Sequence, residues 1–218
     1  TRINDKPGVT LALVSGIGTV LQKDPNDRII VNEQFLRDYI PEITENINFV
    51  FRLPQLIFIG LFIFFFYWII ERLTGNSWLA LLASTLIYLN PIILGISQII
   101  NPDALLWLFA NASLLSFLAY LKEEKKKFAI LTSLFLGLAL LSKYTAIILV
   151  PFYALVIAIH FLFNINAWKK EGETASKIIR YIKTYFSILL GAMVVFSLFM
   201  PAVIVNPYYL WKGTIGFK

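Results

Sequence analysis

Six stretches of this chain are so apolar that only one environment can hold all of them. Leu53 to Ile70, Trp78 to Ile100, Ala104 to Leu121, Phe128 to Leu141, Tyr144 to Phe163 and Tyr185 to Val205 follow one another with short polar breaks between them. Crossing ~30 Å of hydrocarbon takes ~20 apolar residues in a helix, because every backbone N–H and C=O must be bonded inside the segment. The expected fold is therefore all-α: a polytopic membrane protein with about six transmembrane helices, plus juxtamembrane or amphipathic helices on its outer face. Pro91 and Pro151 fall inside two of the runs, and Pro91 is expected to act as a tolerated kink.

Composition supports this and removes the competing classes. The chain is 58% hydrophobic and 15% charged, against roughly 25% charged in soluble domains. Nineteen phenylalanines and a mean hydropathy of +0.74 exclude a disordered chain and a cytosolic enzyme. The absence of cysteine excludes a disulfide scaffold and a cysteine-based metal site. The net charge of +6 would suit nucleic acid, but its distribution argues otherwise. Arg72, Lys122, Lys125, Lys126, Lys127, Lys169, Lys170, Lys177, Arg180 and Lys183 all fall in breaks on one side of the membrane, which the positive-inside rule makes cytoplasmic. The short opposite loops, Ser97 to Asp103 and Ser142 to Thr145, hold only Lys143. Trp68, Trp78, Trp168 and Trp211 lie near span ends, as an interfacial belt requires. No nucleic-acid partner is expected; membrane lipids are.

Residues 1–52 then form an outer-face loop, and residues 53–218 the transmembrane bundle. The loop carries Asp5, Asp24, Asp27, Glu33, Asp38, Glu42 and Glu45. Val9 to Gln22 is apolar but, at ~14 residues, too short to span, so an interfacial or re-entrant helix is expected. Glu33 to Asn46 reads as one or two short amphipathic helices lying over the membrane. With no initiator Met and no signal-peptide start, the chain reads as part of a longer membrane protein, inactive as this piece alone.

Charges at membrane depth are costly and usually functional. Lys143 closes the short run Phe128 to Leu141, which rises only ~21 Å, so its ammonium should sit below the outer surface and need an anion. It is read either as a phosphate ligand or as a lysine snorkelling to the interface. Asp103 follows Asn101-Pro102; it is read as a first-turn acid on a capped helix, as a carboxylate facing an outer cavity, or as both. Asp5 and Lys6 place an acid and a base at the mouth of the short helix. Arg52 reads as a snorkelling anchor and His160 as an interfacial packing residue. Asn111-Ala112-Ser113 matches a glycosylation acceptor but lies inside a span. No Gly-rich phosphate loop, His-Glu metal pair or Ser nucleophile elbow occurs.

Three segments carry a resemblance to a known family. Asp5-Lys6-Pro7-Gly8-Val9-Thr10, Asn101-Pro102-Asp103-Ala104-Leu105 and Gly137-Leu138-Ala139-Leu140-Leu141-Ser142-Lys143 resemble, in order, motifs of the GT-C superfamily of polytopic glycosyltransferases. The branch is that of the protein O-mannosyltransferases, the lipid A aminoarabinose transferase and Rgt-type enzymes. Arg52-Leu53-Pro54 and Arg72-Leu73-Thr74-Gly75 fall where the family has similar span-flanking residues. The resemblance implies a plasma-membrane glycosyltransferase that moves a sugar from a polyprenyl-phosphate donor to a glycan, lipid or protein acceptor outside the cytoplasm. It implies that Lys6 and Lys143 contact the donor phosphate and that Asp103 is the second-loop acid of the catalytic site. Asp5 would be an ordering acid or a ligand of a divalent metal, the one cofactor implied. The family's principal catalytic Asp would precede Thr1, and a His ligand of some relatives would follow Lys218.

The implied chemistry suits these residue types. Lysines in a dry recess stabilise the charge that grows on a departing phosphate, and a carboxylate can deprotonate an acceptor hydroxyl. Two other readings compete: a transporter or lipid flippase, and a non-catalytic membrane subunit. A transporter should have similarly interrupted helices in two halves, which the spans lack. A structural subunit leaves Lys143 and Asp103 without a purpose.

Overall fold

The computed structural model describes residues 8–21, 41–172 and 174–200. Eight α-helices occur among them and no strand: α1 Val9–Gly16, α2 Pro41–Thr74, α3 Ser77–Tyr88, α4 Pro91–Ser97, α5 Pro102–Glu123, α6 Lys126–Ser142, α7 Leu149–Glu171 and α8 Thr174–Phe199. Two 3₁₀ segments, Ile17–Leu21 and Tyr144–Ile148, extend α1 and precede α7. The all-α polytopic expectation holds.

Local chemistry sets most boundaries. Three asparagines start helices: the Oδ1 atoms of Asn76, Asn90 and Asn101 accept from the N–H groups of Leu79, Ile92 and Asp103. Pro91 and Pro102 take first-turn positions, where no N–H is needed. Gly75 and Gly172 end α2 and α7 with φ of 71°, the left-handed conformation glycine adopts most cheaply.

Several spans differ from expectation. Among the described residues four helical stretches are long and apolar enough to cross a membrane, Asn48–Thr74, Pro102–Glu123, Tyr144–Asn166 and Thr174–Phe199, or five if the bent pair α3 and α4 counts as one span. The run Trp78 to Ile100 is broken rather than kinked, since α3 and α4 meet at 56°, Asn90 capping a new helix. Pro151 lies in the first turn of α7, where it bends nothing. The short helix α6 has 17 residues. Residues 41–46, expected to lie over the membrane, instead begin α2, which runs unbroken for 34 residues, ~51 Å at 1.5 Å each. α8 starts eleven residues before Tyr185, so Lys177, Arg180 and Lys183 ride on a helix, three residues apart on one side, instead of in a loop. The end of the sixth expected run, residues 201–205, and the stretch Glu33 to Ile40 lie outside the described residues.

α5 and α6 form an antiparallel hairpin at the centre, with α2 and α8 packed on it. Of the α5 span, 61% is buried, against 11% for α7 and α8. Phenylalanines of α2 interlock with the hairpin: Phe65 lies 4.9 Å from Phe135 and Phe62 5.8 Å from Phe109, ring to ring. α6 and α8 approach through glycine; a Cβ on Gly137 would lie 2.8 Å from Ala192 O and 2.7 Å from Val195 Cβ. Between lipid-facing helices such small residues allow the dispersion contacts that hydrophobic exclusion cannot supply. Buried hydroxyls add specificity. Ser113 donates to Thr132 O at 2.8 Å, so Tyr153 OH, 2.7 Å away, must donate to Ser113.

The segment 8–21 packs on α2, α5 and α6. Pro54 has no N–H and so cannot bond Val50 O, four residues back in α2. Gly18 lies directly against that carbonyl, where any Cβ would collide with it. Leu13, Ile17 and Val20 stay exposed.

Candidate active site

Asp103 and Lys143 reach the same end of the bundle by separate local rules. Asn101 Oδ1 accepts from the Asp103 N–H at 2.9 Å, and Pro102 fills the first helical position, leaving Asp103 in the first turn of α5. There the helix dipole favours a carboxylate. Lys143 follows the last residue of α6 with an extended backbone, φ −159° and ψ 136°. Its N–H still bonds Ala139 O at 3.0 Å, while its C=O accepts from Ala146 N–H at 3.1 Å in the 3₁₀ turn. Because α5 and α6 form a hairpin of similar arm lengths, the start of one lies beside the end of the other.

The Lys143 ammonium donates to Asp103 Oδ1 at 2.7 Å. The side chains are 43% and 35% exposed, so the pair is accessible from outside the protein. An ion pair this exposed adds only ~0–1 kcal/mol to stability; its importance is that it fixes a cation at a place a ligand can reach. An ammonium has three N–H donors, and Asp103 takes one. The expected anion near Lys143 is thus supplied by the chain itself, and Asp103 is both first-turn acid and charge partner.

The start of α1 is fastened to the same turn. Gly8 N–H donates to Leu141 O at 3.1 Å, and Thr10 Oγ1 lies 2.7 Å from Ser142 Oγ, both side chains buried. Asp5 and Lys6 lie outside the described residues. Neither Thr10, Ser142 nor Gln55 is anticipated from the sequence. Gln55 is a polar residue inside the apolar run Leu53 to Ile70, a signal in itself at membrane depth. It is buried in α2, donates weakly to Ile99 O at 3.4 Å and so ties α2 to the stretch before Asn101; its Oε1 has no hydrogen-bond partner. Arg52, one turn earlier, is exposed, as a snorkelling anchor should be.

His160 belongs to the opposite end. With Glu124, Asn164, Trp168 and Tyr181 it lines a cavity of about 460 Å³. Tyr181 OH donates to Glu124 at 2.8 Å and lies 3.3 Å from His160 Nε2, and Arg180 pairs with Glu124. His160 therefore stays apart from the Lys143 site. Asn111 bonds Trp107 O inside α5, and Ser113 is buried. Among the described residues no group of three or more His, Cys, Asp or Glu side chains comes together. The described residues thus do not form a metal-ligand set, and Asp5, the acid offered by the resemblance, is not among them.

No protein of curated function and no solved structure matches the chain significantly. Residues 7–211 match the family model described as dolichyl-phosphate-mannose-protein mannosyltransferase. The matched region contains Asp103, Lys143 and the docked segment from Gly8 onward, and starts immediately after Lys6. The chain belongs to the dolichyl-phosphate-mannose-protein mannosyltransferase family, a GT-C family of membrane glycosyltransferases.

Proposed function

We propose that this chain supplies the donor-phosphate side of an active site that moves mannose from a polyprenyl phosphate to a protein hydroxyl outside the cytoplasm. The observation that carries the reading is the Asp103–Lys143 pair: a cation held at a part-open position, with donors to spare, beside the docked start of α1.

The chemistry follows from charge. The acceptor oxygen attacks the anomeric carbon, the bond from that carbon to the phosphate oxygen breaks, and the phosphate leaves with one more negative charge than it had as a diester. A group that binds this growing charge better than the ground state lowers the barrier. Lys143 is placed to do so with its two remaining N–H donors, and Asp103 holds the ammonium in place. The acceptor proton goes to a carboxylate base. Lys6 is proposed as a second phosphate contact and Asp5 as an acid ordering the same loop. The exposed apolar side chains Leu13, Ile17 and Val20 suit contact of segment 8–21 with the membrane interface, which would bring a lipid-borne phosphate to the Lys143 level.

The test is binding of dolichyl phosphate to the full-length protein with Lys143→Ala and Lys143→Arg substitutions. Lys143→Ala is expected to lose binding and turnover while Lys143→Arg keeps part of both. Normal lipid binding and turnover in Lys143→Ala would overturn the reading.

A further inference from the structure

We infer that Thr10 is a positioning residue for the donor-phosphate site, acting through Ser142 on the turn that carries Lys143. The inference rests on the donor-site reading above and assigns a function to a contact which that reading does not need.

Proton counting fixes the direction of the contact. Ser142 Oγ lies 2.9 Å from Leu138 O, and a carbonyl can only accept, so the single Ser142 proton is committed there. The 2.7 Å contact between Thr10 Oγ1 and Ser142 Oγ is then satisfied only if Thr10 donates. The resulting chain runs from Thr10 through Ser142 to Leu138 O, across 132 residues of sequence. Both hydroxyls are buried, so water does not compete, and the adjacent Gly8 N–H to Leu141 O bond forms a second fastening of the same two segments.

The location gives this clasp its effect. Ser142 is the last residue of α6 and Lys143 the first beyond it. Lys143 therefore leaves the helix from a residue held on one side by its own helix and on the other by α1. Nothing else among the described residues holds the Ser142 side chain. If the Thr10–Ser142 contact is lost, α6 remains, since Ser142 still donates to Leu138 O, but α1 then holds this turn only through the Gly8 N–H to Leu141 O bond, and the angle at which Lys143 leaves the helix is set less tightly. A site for an anionic lipid phosphate needs its cation placed to within about half an ångström, so the loss should appear in donor binding.

Thr10→Val in the full-length enzyme keeps the shape and deletes the donor, leaving no buried donor unpaired. The expected result is a KM for the dolichyl-phosphate-sugar donor raised about tenfold, the scale of one hydrogen bond, with kcat within about twofold and the acceptor KM unchanged. Thr10→Ser, which keeps the hydroxyl, is expected to restore the donor KM. Thr10→Val combined with Ser142→Ala should be no worse than Ser142→Ala alone. A purely structural role would instead lower kcat by loss of active protein at constant KM, and that result overturns the inference. So does a donor KM that Thr10→Ser fails to restore. Lys143→Ala run in parallel separates the two levels. If it raises the donor KM and Thr10→Val does not, the positioning inference alone falls; if Lys143→Ala binds donor normally, the site reading falls and takes the inference with it.

Discussion

Lys143 donates to Asp103 Oδ1 at 2.7 Å although forty residues separate them, and this contact joins the start of α5 to the end of α6. Each residue already has a local reason for its place: a capped helix start for Asp103, a helix stop for Lys143. Neither reason requires the other residue. Their meeting depends on the hairpin between them, whose turn at Glu124 takes the left-handed conformation with φ of 52°.

Removing Asp103 should therefore affect activity more than stability. Asp103→Ala is expected to leave the unfolding free energy within about 1 kcal/mol while lowering kcat/KM for the lipid donor by roughly tenfold or more, the scale of a charge-assisted hydrogen bond. Asp103→Asn keeps an acceptor for the ammonium and should lie between. Steady-state kinetics beside thermal unfolding in detergent check the pair of outcomes; a parallel loss of both would contradict it.

Gly137 is where α6 and α8 come closest. Gly137→Ala puts a methyl against the Ala192 carbonyl and the Val195 side chain, and overpacking of this kind costs about 1–3 kcal/mol. Gly60→Ala in α2 meets nothing within 4 Å and should be neutral or slightly stabilising, since alanine favours the helix. The difference in melting temperature between the two variants measures the effect.

Gly18→Ala should release the segment 8–21. The new Cβ collides with the Val50 carbonyl oxygen, which is helix backbone and cannot rotate away. Hydrogen exchange is expected to rise for amides of residues 9–18 and stay unchanged in α5. Gly16→Ala, with no atom within 4 Å of its Cβ, serves as the comparison and should leave exchange as it was.

The absence of cysteine makes orientation simple to measure. Gln98→Cys and Lys126→Cys place thiols at exposed positions on opposite ends of the bundle. A membrane-impermeant maleimide applied from outside intact cells should label Gln98→Cys and spare Lys126→Cys, because the lysine cluster is expected to face the cytoplasm. The reverse pattern would invert the proposed topology.

The legible part of this molecule was legible for a reason. Hydropathy reports transfer into lipid, a property of each segment alone, so the apolar runs could be placed from composition. The same measure fails where a helix continues past the membrane. Residues 174–184 are helical although Lys177, Arg180 and Lys183 recur along one side of the turn, where Lys177 lies over the Trp168 ring and Arg180 pairs with Glu124, and an averaging window sees only charge. The extension of α2 back to Pro41 escaped for the same reason. Asp103 and Lys143 stood out because charges are rare in such a sequence. Thr10 and Ser142 did not, because a hydroxyl near an apolar run costs little until burial decides whether it has a partner; Gln55, an uncharged amide inside such a run, carries a weaker form of the same signal as the charges.

By itself, then, the chain's order of residues determined its class, its main apolar runs, the capped start of α5 and its two conspicuous charges, because each is governed by neighbours within about one helical turn or by transfer of a single segment. Tertiary structure decided that Asp103 and Lys143 form one site, that His160 lies at the far end, and that α1 is clasped to the turn bearing Lys143. Those outcomes depend on which helices pack together. That choice is made by side-chain shape and close approach, at Gly137 against α8 and Gly18 against the carbonyl left free by Pro54, and no local pattern in the sequence encodes it.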